Sequence, residues 1–392
     1  MVILLASTLT VMAGATIGPV LPLMTEVFAD TPNADFLTRL ILTMPALFIV
    51  IASPFCGWLT DRYVRKKLLV AGTVLYGLSG TAGAWLDCLT AILISRALLG
   101  ISVASVMTVC ITLIGDYYSG IQRQKITGLQ SAFMAFGGVV FISAGGMLAD
   151  ISWRAPFLIY SFALLLLPAI MLFIKEPAQK SEVEVNADDG RDTSFSLLNV
   201  SVILAMAFLG MAMFYMIPVY IPFLIHTFGD ISNTEVGLAL SSFVLTGAIA
   251  ALNYQRFLYV MSHQSIYVLS FFLLGIGYIM IFFSDSYTGI FAGLITGGAG
   301  SGLLMPNTTV WMLSEAPDYL RGRLSGMITT AVFLGQFLSP VLTRPLVENL
   351  SISEAFLFVG AGITAISVSV AIYLIISSRS AGTDRHQSSI SN

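Results

Sequence analysis

Apolar runs of about 20 residues alternate along the chain with short polar or turn-rich breaks. A helix of this length crosses the hydrocarbon core of a bilayer, whereas membrane β-strands alternate over about 10 residues. The pattern therefore predicts an all-α membrane protein with twelve transmembrane helices. Their expected positions are about 3–24, 37–59, 67–86, 89–114, 126–148, 155–174, 199–225, 234–252, 265–283, 287–313, 324–346 and 354–377.

Composition supports a membrane protein, because 57% of the residues are hydrophobic and only 10% are charged. A water-soluble chain carries about 25% charged residues. No Lys or Arg precedes Arg39, so the basic region of a signal peptide is missing and the first span is expected to be retained. Three cysteines give no disulfide framework, and neither a metal site nor a Walker loop is found. We expect no enzyme activity, cofactor, metal or nucleic-acid partner.

Positive charge is unevenly divided between the loops on the two sides of the predicted helices. Fourteen Lys and Arg residues fall on one side, and Arg39, Arg154 and Arg344 fall on the other. By the positive-inside rule the first side is cytoplasmic. Because the number of spans is even, both termini are expected in the cytoplasm, with the protein in the plasma membrane or, in a bacterium, the inner membrane.

An internal repeat divides the predicted helices into two six-helix halves. The segment 121–128 matches 319–326 at an offset of 198 residues, and the same offset carries Gly100 onto Gly298. The expected units are an N-terminal half at 1–174, an acidic cytoplasmic linker at 175–198, a C-terminal half at 199–377 and a polar cytoplasmic tail at 378–392.

A charged turn, Gly-Trp-Leu-Thr-Asp-Arg-Tyr-Val-Arg-Lys-Lys-Leu-Leu at 57–69, joins the second and third predicted helices. It resembles the loop signature of the major facilitator superfamily, although Val64 stands where that family usually has Gly. The resemblance covers the whole chain and implies a transporter of two six-helix pseudo-repeats. It also implies a conformational latch, formed by Gly57, Asp61, Arg62 and Arg65, that stabilises an outward-facing state. The alternative is a charge cluster that only orients the chain in the membrane.

Arg96 begins a second resemblance, because Arg-Ala-Leu-Leu-Gly at 96–100 is similar to a motif of drug/proton antiporters. An Arg near the bilayer centre costs about 2.5–3.5 kcal/mol, so it should face a wet or paired interior unless its side chain extends to the membrane surface. The fifth helix departs from that branch, since Phe141 and Ile142 replace its Gly-Pro and only the final pair Gly145-Gly146 is kept.

Prolines recur at matching places in the two halves and predict bends along a transport path or, alternatively, bent packing helices. They are Pro19 and Pro22 in the first helix and Pro218 and Pro222 in the seventh. Beyond them lie Glu26 and His226, which either handle a proton or are interfacial groups at helix ends. Further candidates for coupling or substrate contact are Phe133, Phe136, Tyr215, Tyr220, Asn307 and Gln336.

These observations favour a monomeric secondary transporter that exports a small organic compound, a drug or a metabolite such as a siderophore, by alternating access coupled to protons. Uptake of an organic anion is the rival, favoured by Arg96 and by the lack of an acidic residue deep in any span. A membrane sensor that moves no solute is a third hypothesis.

Overall fold

The structure is a computed structural model that describes residues 1–176, 197–317 and 320–390. Most of the predicted linker therefore lies outside the described residues. Eleven helices in the described parts are long and apolar enough to cross a membrane, and the helix Arg65–Thr81, with 17 residues, completes the set of twelve. We number them α1 Val2–Val27, α2 Ala34–Arg62, α3 Arg65–Thr81, α4 Leu89–Tyr117, α5 Gly120–Ala149, α6 Ala155–Phe173, α7 Leu197–His226, α8 Asn233–Leu252, α9 His263–Phe282, α10 Tyr287–Glu315, α11 Arg321–Asn349 and α12 Ile352–Ile390.

The ends of several helices differ from the sequence prediction for an identifiable reason. Helix α5 begins at Gly120 rather than near 126, because Arg123 and Lys125 mark the edge of the hydrocarbon and not the end of the helix. Helix α12 likewise continues to Ile390, through most of the segment predicted as a polar tail. The positions of charged residues therefore predicted the spans correctly but predicted helices that are too short.

Helices α1 and α7 differ in how the chain passes the prolines that are predicted to bend them. Helix α1 is interrupted after Ala15, forms a 3₁₀ turn over Gly18–Val20 and resumes as Leu21–Val27. Helix α7 runs from Leu197 to His226 without a break across both Pro218 and Pro222, so bends at these two prolines remain a prediction. Membrane helices tolerate proline where neighbouring groups satisfy the freed carbonyl.

Helices α1 to α6 form one half and α7 to α12 the other, and the halves meet along α5 with α8 and α2 with α11. We call the end of the bundle that carries the turn 62–65 the basic face, and the end that carries the loops 28–33, 150–154 and 227–232 the opposite face. At the opposite face α1 also reaches α7, since a Cβ at Gly18 would lie 3.3 Å from the carbonyl oxygen of Pro218.

Small residues bring α5 and α8 into backbone contact towards the opposite face. A Cβ at Gly146 would lie 2.4 Å from the carbonyl oxygen of Asn233 and 3.0 Å from the Cα of Gly237. One turn before Gly146 on α5, the hydroxyls of Ser143 and Ser241 are hydrogen-bonded at 2.8 Å. Close approach through small residues is a usual way for membrane helices to associate. It joins the two halves here.

Cation–π contacts also join the halves near the opposite face. The Cζ of Arg39 on α2 lies 5.0 Å from the ring centroids of Tyr220 and Phe223 on α7. The Cζ of Arg344 on α11 lies 4.5 Å from the ring of Phe36 on α2. Each contact pairs a cation from one half with an aromatic ring from the other, so the opposite face is closed.

We call the set of contacts that joins the two halves at the opposite face the closure. Asp150 belongs to it and connects the end of α5 to the start of α8. Its carboxylate accepts hydrogen bonds from the backbone N–H of Asn233 at 2.7 Å and of Thr234 at 3.1 Å. A carboxylate at the N-terminus of a helix also interacts favourably with the helix dipole. Partial burial acts to raise the pKa of Asp150, but hydrogen bonds from Thr234 and Asn233 outweigh it and hold the pKa below its usual value.

Acid is therefore expected to weaken the closure through Asp150. Because its pKa is lowered in the closed state, the stabilisation is complete at neutral pH and is lost as the pH falls through the lowered pKa. Asp150→Asn should reduce the closed population about two- to fivefold at neutral pH, as expected for an exposed cap, and remove the acid response.

Double electron–electron resonance can measure the closed population in lipid nanodiscs. One spin label is placed on the exposed Cys88 and the other on Asp285→Cys, with the buried Cys56 and Cys110 replaced by Ala. These labels lie at the opposite face, one on each half. A closed distance that stays fully populated in acid would contradict the role given to Asp150.

The basic face is open, in contrast to the opposite face. A Cβ added at any of three glycines near this face would have no neighbouring atom within 4 Å. These glycines are Gly57 on α2, Gly128 on α5 and Gly326 on α11. Residues 121–125 at the start of α5 are exposed. Among the described residues, the contacts between the halves given above therefore lie towards the opposite face, and the basic face is the more exposed of the two.

Candidate functional site

A cavity of about 330 Å³ lies between the halves on the basic-face side of the closure. The first half contributes Val11, Met134 and Ala135, and the second half contributes residues of α7, α8 and α10. Helix α7 presents one face to the cavity at helical spacing, Met206, Ala207, Gly210, Met211 and Phe214.

The lining of this cavity is apolar and rich in methionine. Four methionines line it, and so do Phe214 and Phe243, whereas no charged residue does. Its two hydroxyl side chains are satisfied within α10, since Ser301 donates to the carbonyl of Gly298 at 2.9 Å and Thr308 to that of Leu304 at 2.8 Å. Methionine is flexible and polarisable, so such a surface adapts to apolar ligands of different shapes.

Most of this lining is not predicted from the sequence, because the candidates there are mainly polar, charged and aromatic residues inside the spans. None of the nine residues proposed for coupling or substrate contact lines the cavity. The signal was present in the spacing of Met206, Gly210 and Phe214 on α7. In an apolar membrane helix, however, the same residue types also face lipid, so the spacing alone does not select this face.

Arg96 is fully buried inside the first half, between α3, α4 and α6. Its Nη2 donates to the carbonyls of Ser79 at 2.9 Å and Gly80 at 2.6 Å, in the last turn of α3. Its Cζ lies 5.1 Å from the ring centroid of Phe157 and 5.0 Å from that of Tyr160. The terminal carbonyls of a helix lack partners within the helix, so Arg96 caps α3 and complements its dipole.

Tyr215 and Gln336 meet at the centre of the closure. A Cβ at Gly14 on α1 would lie 2.5 Å from the hydroxyl oxygen of Tyr215 and 3.7 Å from Nε2 of Gln336. Both side chains belong to the second half and are buried. They form the floor between the cavity and the opposite face, where only a glycine on α1 fits against them.

Tyr220 and Phe136 lie apart from that floor. Tyr220 forms a 2.7 Å hydrogen bond with Thr343 beneath Arg39, so it belongs to the closure at the opposite face. Phe136 is 71% exposed, on the same stripe of α5 as the exposed Val140. Phe133 is half-buried next to the cavity residue Met134.

Asn307 is fully buried in a polar network within the second half. Its Oδ1 lies 3.0 Å from Nδ1 of His263 and accepts from the Tyr254 hydroxyl at 3.2 Å, and its Nδ2 donates to the His263 carbonyl at 2.9 Å. The ring of His263 stacks on Trp311 at 5.9 Å. The network holds the start of α9 against α10 at the basic face.

Glu26 and His226 line the same pocket. Both line a pocket of about 480 Å³ at the opposite face, between the end of α1 and the loop from α7 to α8. Asp230 lines the same pocket. The Nε2 of His226 is buried without a hydrogen-bond partner among the described residues.

The charged turn between α2 and α3 makes its described contacts within the first half. Arg65 forms an ion pair with Asp116 at the end of α4, and its backbone N–H donates to Glu176 at 2.8 Å. The Cζ of Arg62 lies 4.8 Å from the ring of Trp58. Gly57 faces open space, and the side chain of Asp61 lies outside the described residues. The residues of the predicted latch are thus at the face where the halves are apart.

Comparison with solved structures identifies the fold. The structure superposes on a D-xylose–proton symporter with a TM-score of 0.78 at 17% identity, covering 94% of this chain and 95% of that one. A bacterial homolog of the human lysosomal transporter Spinster, in an inward-facing and occupied conformation, gives 0.73 at 15% identity, covering 96% and 93%. At such identities the likeness concerns the fold alone.

Sequence comparison finds relatives of similar length. Multidrug resistance protein 1 of Bacillus subtilis is 24% identical over 335 residues, 83% of this chain and 84% of the relative. Quinolone resistance protein NorA of Staphylococcus aureus MRSA252 is 22% identical over 356 residues, 90% and 91%. The bacillibactin exporter of Bacillus subtilis is 32% identical over 146 residues, 36% of each chain. The family model described as Major Facilitator Superfamily matches residues 3–230 and 202–390, so this chain belongs to the major facilitator superfamily.

Proposed function

We propose that this transporter exports small, apolar organic compounds in exchange for protons. The cavity carries the proposal, because it is lined by methionine and aromatic side chains and lies on the open side of the closure. The multidrug and quinolone resistance proteins and the bacillibactin exporter among its relatives support export. The protein would act as a monomer in the plasma membrane, or in a bacterial inner membrane, with its basic face and both termini in the cytoplasm.

Alternating access would then require the opposite face to open and the basic face to close. Opening breaks the contacts of Gly146 with α8 and the hydrogen bonds of Asp150. Closing brings the residues of the latch, Gly57 and Arg62 among them, towards the second half. A substrate shifts this equilibrium only by its difference in affinity for the two states.

Glu26 and His226 are the groups to which we assign the proton, because a carboxylate and an imidazole share one pocket between the halves at the opposite face. Uptake of an organic anion is less well supported than export. An anion would need a cation facing the cavity, and Arg96 is instead enclosed within the first half.

Proteoliposomes with a trapped pH-sensitive dye test the assignment. Under an imposed proton gradient, the neutral dye Nile red should cause proton movement, and the anion benzoate should not. Glu26→Gln and His226→Gln should each lower this movement to the level of empty liposomes while Nile red still binds. Asp285→Asn, an exposed carboxylate at the same face, is the matched control and should behave as the wild type.

Two results would overturn the proposal. Benzoate counterflow without proton movement would indicate uptake of an anion. Binding of Nile red with no movement of dye, benzoate or protons would indicate a sensor.

A further inference from the structure

A second, smaller space lies on the outer surface of the second half, in a crevice between α7, α9 and α12. Its volume is about 230 Å³, and its apolar lining includes Val202, Leu209, Phe271, Ile366 and Val370. Ile366 is 65% exposed and Val370 is 41% exposed, on the side of α12 that faces away from the bundle. In a membrane this crevice would be open to lipid.

Met206 lines both the crevice and the central cavity. One turn further along α7, a Cβ at Gly210 would lie 3.0 Å from Cδ1 of Leu304, which lines the cavity, and 3.8 Å from Cζ of Phe271, which lines the crevice. The wall between the two spaces is therefore made of side chains. Methionine is unbranched, with three rotatable bonds, so a change of rotamer at Met206 can join the spaces without moving a helix.

The crevice lies mostly on the basic-face side of the bundle, next to the leaflet at that face, and extends to Met213, about 24 Å along α7. Met206 is nine residues from the start of α7 at the basic face, which corresponds to about 14 Å along the helix. The hydrocarbon of one leaflet is about 15 Å thick. Trp311 and Tyr267, which also line the crevice, lie towards the same face.

We propose that uncharged apolar compounds reach the cavity from this leaflet, through the crevice and past Met206. The inference rests on the proposed function, since it takes the cavity to be the substrate site. An apolar compound is concentrated in the hydrocarbon, where it meets the crevice before it meets the aqueous opening of the cavity. No charged residue lines either space, so the whole route suits an uncharged solute.

Three methionines of α7 provide a matched set of variants. Met213 lines the crevice only, Met211 the cavity only and Met206 both. A residue on the route changes the rates of association and dissociation together, whereas a residue in the site changes the affinity. The rates and the Kd of Nile red are measured by stopped-flow fluorescence on the protein in lipid nanodiscs.

Met213→Trp should lower the rate of Nile red association at least fivefold with an unchanged Kd, and Met206→Ala should raise both rates. Met211→Trp should raise the Kd at least tenfold. To separate blockage from misfolding, Met213→Cys is modified with pyrene maleimide after reconstitution, in a chain whose three native cysteines are replaced. The modification should slow association to the same extent.

The outcomes distinguish this inference from the proposed function. If Nile red does not bind the wild type, the assignment of an apolar substrate cavity fails, and with it the route. If Nile red binds but modification of Met213→Cys leaves its association rate unchanged, only the lateral route is overturned.

Discussion

Gly146→Val is expected to open the opposite face and to lower transport at least tenfold. The new Cβ would meet the carbonyl oxygen of Asn233 at 2.4 Å and the Cα of Gly237 at 3.0 Å. Both are backbone atoms that cannot rotate away, so α5 and α8 must separate. Overpacking of this kind costs about 1–3 kcal/mol, which lowers the ratio of closed to open molecules about 5- to 150-fold.

Gly128→Val is the matched control, because the same change on the same helix meets nothing within 4 Å in this state. The spin-label pair on Cys88 and Asp285→Cys reports the result. Hydrogen bonds from the backbone N–H groups of Ala91 and Thr90 lower the pKa of the Cys88 thiol, which favours its labelling at neutral pH. Gly146→Val should lose the short distance and Gly128→Val should keep it. A short distance retained in Gly146→Val would show that this contact does not hold the face closed.

Arg96→Met should cost about 3 kcal/mol of stability, whatever its effect on transport. The substitution keeps an unbranched side chain but leaves the carbonyls of Ser79 and Gly80 without their donor in a buried site. Arg96→Lys keeps a cation and its hydrogen bonds but loses the planar stacking on Phe157 and Tyr160, so an intermediate loss is expected.

Thermal unfolding of the purified protein in detergent, alongside proton movement in liposomes, separates the two roles considered for Arg96. If Arg96→Lys recovers stability and transport together, the residue acts as the cap of α3. If Arg96→Lys recovers stability but not transport, Arg96 takes part in coupling as well as in stability. Wild-type stability in Arg96→Met would contradict the capping role.

The two repeats were predicted from segments that match at an offset of 198 residues. Hydropathy and charge were sufficient to predict the twelve spans, because the spans follow from the cost of polar groups in hydrocarbon. The same reasoning marked Arg96 as a residue that needs a paired interior. Its partners were not predictable, since the carbonyls of Ser79 and Gly80 are free only because α3 ends at Thr81.

The cavity could not be predicted from the sequence, for a different reason. Met134 lines it and Phe136, two residues along α5, is exposed, yet both are apolar. In a soluble protein the face towards water is polar and the face towards the core is apolar, but lipid removes that contrast. Which apolar face meets the second half depends on the packing of α5 against α8, and no local pattern encodes it.

The two repeats secure their turns at the basic face by different chemistry. In the first half the turn is held by the ion pair of Arg65 with Asp116, and in the second half by uncharged hydrogen bonds among Tyr254, His263 and Asn307. Dissolved ions screen partly exposed charges and leave buried hydrogen bonds nearly unchanged. Ionic strength is therefore expected to act on the turn of the first half and to leave the turn of the second half nearly unchanged.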